Sequence, residues 1–296
     1  MKILIDNKIP YIRGEFEPWA DVMYLPADGF TRDVVRTANL LVVRTRTRCN
    51  EALLDGSSVQ MIATATIGTD HIDIPWCTAH NIQVVSAPGC NAPAVGEWVG
   101  CALRRWADVH NVRLNNEHIA IIGYGHVGHE VEREAQHLGM TVHRVDPYVE
   151  GCHKCVEEVI SQCRVATYHV PLNDETRHLC NASTLAMMRT NGLIINAARG
   201  GVVNEQALIE WLDNNPKAAA AIDCWEGEPN INQDLVRRCI VATPHIAGYN
   251  AEGKWRGTRM IVDAIRQRFG WQWDIGAATD EFLDNINSFE ALRKIR

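Results

Sequence analysis

The sequence has no apolar run near the roughly 18 residues that a membrane-spanning helix requires. Its first residues, MKILIDNK, break after three apolar positions, too few for a secretory leader. Basic residues are not in excess: Lys and Arg total 29 against 36 Asp and Glu, for a net charge of −7. That balance offers no broad surface for nucleic acid or an anionic membrane, so an anion would have to be bound at a local site. Aromatic residues make up only 7% of the chain and form no basic–aromatic platform. The ten cysteines are scattered, with Cys101, Cys224 and Cys239 in apolar surroundings. They read as reduced thiols of a cytoplasmic protein rather than a disulfide framework. Cys152 and Cys155 have the spacing of half a zinc site, but no second CxxC or HxxxH follows, so no metal is expected. Low-complexity tracts are also missing. What remains is an ordinary globular composition, 46% hydrophobic and 22% charged over 296 residues, with room for two domains.

The informative stretch is IAIIGYGHVG, residues Ile119 to Gly128. Four apolar residues run into Gly123-x-Gly125-x-x-Gly128, and Val127, Val131, Ala135 and Leu138 then share one helical face. This predicts strand, tight turn and helix. Gly123 permits the turn, Gly125 lets a pyrophosphate approach the backbone, and Gly128 lets helix and strand pack closely. The helix N-terminus presents N–H groups and partial positive charge to the phosphates. A second strand, Thr141–Val145, ends at Asp146, close to the spacing at which a carboxylate accepts the adenosine ribose hydroxyls and repels a 2′-phosphate. NAD is therefore expected over NADP, although Arg144 lies near enough to act the other way.

The first ninety or so residues alternate short apolar runs with helical patterns. Lys2–Ile5, Val22–Leu25, Leu40–Val43, Gln60–Ala63 and Gln83–Val85 read as strands, with little polar–apolar alternation, as in a parallel sheet covered on both faces. Arg44-Thr45-Arg46-Thr47-Arg48 follows a strand and makes a candidate anion cradle, although a solvated basic loop explains Arg46 and Arg48 equally well. The small residues of Thr64–Asp70 either admit a ligand, with Thr66 at its centre, or form a plain turn. A breaker cluster, Pro88–Pro93, marks a boundary, and a long helix is expected from about Ala94 to Asp108.

Beyond Asp146 the pattern predicts a helix over Val156–Cys163, a strand over Val165–Val170, a helix over Ser183–Met188 and a strand over Leu193–Ala198. A helix over Glu205–Leu212, capped by Asn204, and strands over Ala219–Ile222 and Ile240–Ala242 follow, then a helix from Ala251 to Phe269 that returns to the first domain. Strands alternating with helices make a doubly wound parallel sheet, whose strand carboxyl ends face the ligand crevice. Asp146, Val170, Arg199, Asp223 and His245 all fall at or just beyond such ends. Among the twelve histidines, His245 is the natural acid/base by position, with His169 read as structural or cofactor-adjacent. Glu228 or Glu226 could orient His245, and the spacing does not separate them. Arg199 can clamp a carboxylate through two parallel hydrogen bonds.

The motifs GYGHVG, INAARGG, DCWEGEP and TPHIAGY resemble those of the D-2-hydroxyacid dehydrogenase family, and the resemblance extends from Met1 to about Trp273. It implies an α/β fold of two doubly wound parallel-sheet domains with a cleft between them. The flavodoxin-like substrate domain would comprise 1–93 plus 250–273, and the Rossmann NAD domain 94–249. Residues 274–296 would be the remnant of a C-terminal dimerisation region in a homodimer. It further implies NAD-dependent oxidation of a small phosphorylated 2-hydroxy acid by Arg199, Glu228 and His245. Gly123, Gly125, His126, Val127, Gly128, Asp146, Val170, Ala197, Ala198, Asp223 and Gly248 would line the cofactor. Arg44, Thr45, Thr66 and Tyr249 would meet the substrate, with Arg44 and Thr45 at its phosphate. Val170 stands where a threonine is common, which removes a side-chain hydrogen bond to the cofactor. The rival readings are a dehydrogenase for another hydroxy acid and an NAD-sensing binding protein without turnover.

Overall fold

The computed structural model describes residues 1–272, so the segment 274–296, read above as a dimerisation remnant, lies outside the described residues. The chain divides into two compact units, one of 1–63, 72–85 and 259 onward, the other of 64–71 and 86–258. The Thr64–His71 loop and the Ser86–Pro93 stretch therefore belong to the unit of the glycine fingerprint, whereas the sequence placed them in the first domain.

The first unit holds β1 (Lys2–Asp6), β2 (Asp21–Leu25), α1 (Arg32–Val35), β3 (Leu40–Val43), α2 (Glu51–Leu54), β4 (Met61–Thr64), α3 (Ile74–Ala79) and β5 (Gln83–Val85). The sheet order is β2-β1-β3-β4-β5, and the β1–β2, β1–β3 and β4–β5 pairs are parallel. Every residue of β3 and β4 is buried, because helices cover a parallel sheet on both faces.

The second unit opens with α4 (Ala92–His110), whose spacing sets Val95, Trp98, Val99, Ala102 and Trp106 on one stripe; all are buried except Trp98, which is half-buried. There follow β6 (His118–Ile122), α5 (His126–His137), β7 (Thr141–Val145), β8 (Val165–Tyr168), α6 (Ala182–Met187), β9 (Leu193–Asn196), α7 (Glu205–Asn214), β10 (Ala219–Ile222), α8 (Gln233–Arg238) and β11 (Val241–Ala242). They form a six-stranded sheet in the order β11-β10-β9-β8-β6-β7, with every pair parallel. Alternate strand residues feed two separate cores. Ala120, Ile122, Tyr168, Ile194 and Ile222 pack on one face, and Ile119, Ile121, Val165, Leu193 and Ala221 on the other, against Trp106 of α4 and Val131 of α5. The strand order reverses at β6, with β7 on one side and β8 on the other, which places the ligand crevice at their carboxyl ends.

The last described helix, α9 (Ala251–Phe269), buries Ile261, Val262 and Ile265. Its Arg259 and Arg266 both bind Glu15, at 2.7 and 2.5 Å, which ties its C-terminal half to the first unit. One predicted helix does not form: Val156–Cys163 is a single 3₁₀ turn, Val156–Glu158, followed by further turns. Its apolar residues Val156, Val159, Ile160 and Cys163 are buried as expected. However, no side-chain cap starts the segment, and its β-branched residues are weak helix formers. No helix among the described residues is long and apolar enough to cross a membrane. All ten cysteines are free.

His169, just past β8, hydrogen-bonds Thr167 Oγ1 through Nε2 at 2.8 Å, while its buried Nδ1 has no hydrogen-bond partner among the described residues. Burial pushes its pKa down to about 3. The unfolded chain would take up a proton at this residue near pH ~6.5 that the native state refuses. The stability this neutral imidazole contributes is therefore complete above that pH and is lost as pH falls toward 3. A His169→Gln variant should show a shallower decline of Tm between neutral pH and mild acid than the parent. Parallel declines would mean that His169 does not titrate on unfolding.

Candidate active site

The turn after β6 is shaped by contact. Gly123 has φ +91°, and a Cβ there would fall onto the carbonyl of His169 as the chain leaves β8. Val170 adjoins the same glycine, since a Cβ at Gly123 would lie 2.9 Å from its Cγ1. A Cβ at Gly128 would strike the Gly123 carbonyl, so strand and helix approach as the fingerprint requires. Gly125 is different: it has open space where a side chain would be, and as the N-cap of α5 it offers no side-chain partner to the first helical N–H groups. His126 and Val127 open that helix, with His126 packed over Gly89. Asp146, at the end of β7, accepts from the backbone N–H of Tyr124 (2.9 Å) and of Tyr148 (3.0 Å). An uncapped helix start, a bare glycine and a carboxylate across from them fit a dinucleotide.

At the other side of the sheet, Asn196 closes β9. Its Oδ1 accepts from the Ala198 N–H (3.1 Å), and its Nδ2 donates to the carbonyls of Arg199 (2.9 Å) and Cys224 (3.2 Å). This shapes the Ala197–Arg199 turn and ties it to the end of β10. Gly200 follows, where a Cβ would land on the Trp225 carbonyl, so only glycine lets these two loops touch. The Arg199 guanidinium donates to the Ala198 carbonyl (2.8 Å), rests against the Gly68 turn and lies 3.5 Å from Asp70. Thr66, in that turn, shares a 2.7 Å hydrogen bond with Thr64 and donates to the Gly68 carbonyl at 3.1 Å.

The structure separates the two glutamates. His245 Nδ1 lies 2.8 Å from Glu228 Oε2, while Glu226 Oε1 lies 3.1 Å from Nε2 of His178. The Trp225 N–H donates to the other Glu228 oxygen (2.8 Å) and so orients the carboxylate toward the imidazole. Glu205 accepts from the Glu226 N–H at 2.7 Å; burial and the neighbouring Glu226 and Glu228 push its carboxyl up. Asp223, fully buried, accepts from Thr243 Oγ1 and the Ile246 N–H (2.8 Å) on one oxygen and from the Ala247 N–H (2.9 Å) on the other. Three of about four acceptor positions are thus used by the loop that carries His245. Gly248 packs on Asn91, and Tyr249 is exposed beneath Lys254, whose Nζ lies 3.4 Å from the ring centroid.

Arg177, Arg199, Trp225, Glu226, Glu228 and His245 line part of one pocket of about 260 Å³. Of these, Arg177 carries no signal in the sequence, nor do Glu205 and His178, while Trp225 and Asn196 stand within DCWEGEP and INAARGG without a role of their own there. Only a buried polar residue at a strand end, as with Asn196, could have drawn notice. Arg44 and Thr45 lie in the first unit, past β3, where Arg44 Nε binds buried Asp6 at 3.1 Å and Thr45 is exposed. Arg46 and Arg48 are exposed, as a solvated loop predicts. No group of three or more His, Cys, Asp or Glu among the described residues is arranged to hold a metal ion.

Comparison with known proteins identifies the family. Residues 94–247 match the family model for the D-isomer specific 2-hydroxyacid dehydrogenase, NAD binding domain. Erythronate-4-phosphate dehydrogenase of Bacteroides thetaiotaomicron is 42% identical over 279 residues, 91% of this chain and 80% of that protein. The Yersinia pestis protein of the same name is 38% identical, over 91% of this chain and 74% of its own. Among solved structures, an NAD⁺-bound 3-phosphoglycerate dehydrogenase of Entamoeba histolytica superposes with TM-score 0.78 at 24% identity, covering 91% of this chain and 95% of that one. A D-lactate dehydrogenase of Aquifex aeolicus, complexed with NAD and lactic acid, gives 0.76 at 21% identity, covering 92% and 96%. These likenesses to solved structures bear on the fold, while the family model and the closer relatives bear on descent. The chain belongs to the D-isomer specific 2-hydroxyacid dehydrogenases and is an NAD-dependent enzyme of that family.

Proposed function

We propose that the chain oxidises C2 of 4-phospho-D-erythronate to give 2-oxo-3-hydroxy-4-phosphobutanoate, a step of pyridoxal phosphate biosynthesis. Its named relatives at 38–42% identity support the substrate. The observation that carries the chemistry is the His245–Glu228 pair at 2.8 Å, opening on the same pocket as Arg199.

With its Nδ1–H held by the Glu228 carboxylate, His245 keeps Nε2 free to take the C2 hydroxyl proton. Arg199 binds the substrate carboxylate and polarises the C2 oxygen. NAD, when bound, accepts the hydride that leaves C2. Gly123, Gly125, His126, Val127 and Gly128 hold its pyrophosphate, and Asp146 its adenosine ribose. Val170, Ala197, Ala198, Asp223 and Gly248 line the remainder of its site. In this reading Arg44 and Thr45 meet the 4-phosphate, and Thr66 and Tyr249 contact the substrate. Asp6 lies 3.1 Å from Arg44 Nε, and the terminal nitrogens of that guanidinium would meet the phosphate. A cytoplasmic homodimer completes this reading, and sedimentation of the purified chain tests the oligomer.

The enzymatic test is NAD reduction with 4-phospho-D-erythronate beside D-erythronate and 3-phosphoglycerate. A strong preference for the first is expected. Preference for 3-phosphoglycerate would retain the mechanism and discard the substrate, and NAD binding without any turnover would favour the sensing protein. His245→Asn should lower kcat by roughly 10²–10⁴-fold while NAD still binds. Arg44→Ala should raise KM for the phosphorylated substrate about tenfold or more and leave NAD affinity intact. An equal loss for substrate and cofactor would remove Arg44 from the phosphate site.

A further inference from the structure

Arg144 is the arginine of β7, and one edge of its guanidinium is taken. Its Nε and Nη2 both donate to Glu132 Oε1 from α5, at 2.9 and 2.6 Å. The Tyr124 hydroxyl donates to the other Glu132 oxygen, and Gln136 adds a bond at 3.1 Å. The guanidinium also lies 5.1 Å from the Tyr124 ring centroid, so it is held on a face as well as along an edge. Tyr124 is the residue whose backbone N–H binds Asp146, so a single side chain and its backbone gather both charges of the ribose end. Burial opposes ionisation of Glu132, but the hydrogen bonds from Arg144 and Tyr124 outweigh it and keep its carboxyl below the usual range. Lys154, the cation of the following loop, is spent on the carbonyls of Pro147 (3.0 Å) and Val149 (3.2 Å).

We propose that Glu132, and not Asp146 alone, sets the preference for NAD over NADP, by occupying the guanidinium edge with which Arg144 would otherwise bind a 2′-phosphate. A phosphate reaching this strand end meets the carboxylate of Asp146 and a cation already paired with Glu132. The inference rests on the reading of Asp146 and the glycine turn as the dinucleotide site.

The test is a binding titration of NAD and of NADP, with no substrate present. The variants are Asp146→Asn, Glu132→Gln, both together, both with Arg144→Ala, and Arg144→Ala alone. In the Asp146→Asn background, Glu132→Gln should tighten NADP binding about tenfold, and adding Arg144→Ala should abolish that gain. Arg144→Ala alone should not tighten NADP binding, because it removes a cation and leaves Glu132 unpaired. That variant does not depend on how well the core tolerates a change at Glu132. An unchanged NADP affinity on neutralising Glu132, or a gain that survives loss of Arg144, overturns the proposal. So does tighter NADP binding by Arg144→Ala alone. If Asp146→Asn leaves NAD affinity untouched, the site reading beneath it fails as well, and that outcome is distinct from the others.

Discussion

The buried carboxylate of Asp223 is the constraint on which the reacting geometry depends. It sits just past β10 and accepts three hydrogen bonds from the loop after β11, while the Asp223 carbonyl takes the His245 N–H at 2.8 Å. His245 has φ +56°, a left-handed conformation that costs a non-glycine residue on the order of 1–2 kcal/mol. Hydrogen bonds to a charged group contribute about 1.5–3 kcal/mol each, so three of them outweigh that strain. The parallel pairing of Ala221 with Val241 and Ile222 with Ala242 sets the two loops side by side, and Trp225 Nε1 adds a tie to the Thr243 carbonyl at 2.8 Å. Glu228 leaves from β10 and His245 from β11. The distance between them is therefore a consequence of strand register and of one carboxylate.

Asn196, at the end of β9, and Glu205, at the start of α7, repeat the device. Each is a buried polar group whose partners are backbone groups of a different loop, Asn196 reaching Cys224 and Glu205 reaching Glu226. Leaving such groups unpaired would cost about 1–3 kcal/mol apiece, which discourages any loop arrangement that breaks the set. Gly200 supplies the complementary steric condition by letting the Arg199 turn touch Trp225. Arg199, Glu228 and His245 come from three strand ends but are held as one rigid group.

The residues that sequence pattern could identify are those whose role follows from strand position. β3, β5, β7 and β10 stand where their apolar runs predicted, and Arg199, Asp223 and His245 stand at strand ends. Periodicity also located the buried face of Val156–Cys163, but burial at those positions is as compatible with successive turns as with a helix. α8 carried no strong apolar stripe, and its start depends on Asn232 accepting from the Asp234 N–H. Glu226 and Glu228 are two residues apart, so their assignment depends on the path of the turn rather than on residue type. The turn sends one carboxylate to His178 and the other to His245. The state of Arg144 is set by Glu132 on another element, a relation that no local pattern encodes.

The two arginines closest to the reading of function show how a partner decides what a charge can do. Arg144 gives two hydrogen bonds to one oxygen of a carboxylate whose side chain is 9% exposed. Releasing it would strand a nearly buried anion, so the pair persists unless a stronger ligand arrives. Arg199 instead faces Asp70 at 3.5 Å, on a side chain 72% exposed. A pair of that kind contributes about 0–1 kcal/mol, because water serves the released carboxylate almost as well. In the proposed reaction, a substrate carboxylate offering two parallel hydrogen bonds would exceed that and displace Asp70 at little cost. The same side-chain chemistry is closed to ligand at the end of β7 and open beyond β9, and the difference lies in the burial and distance of one carboxylate in each case.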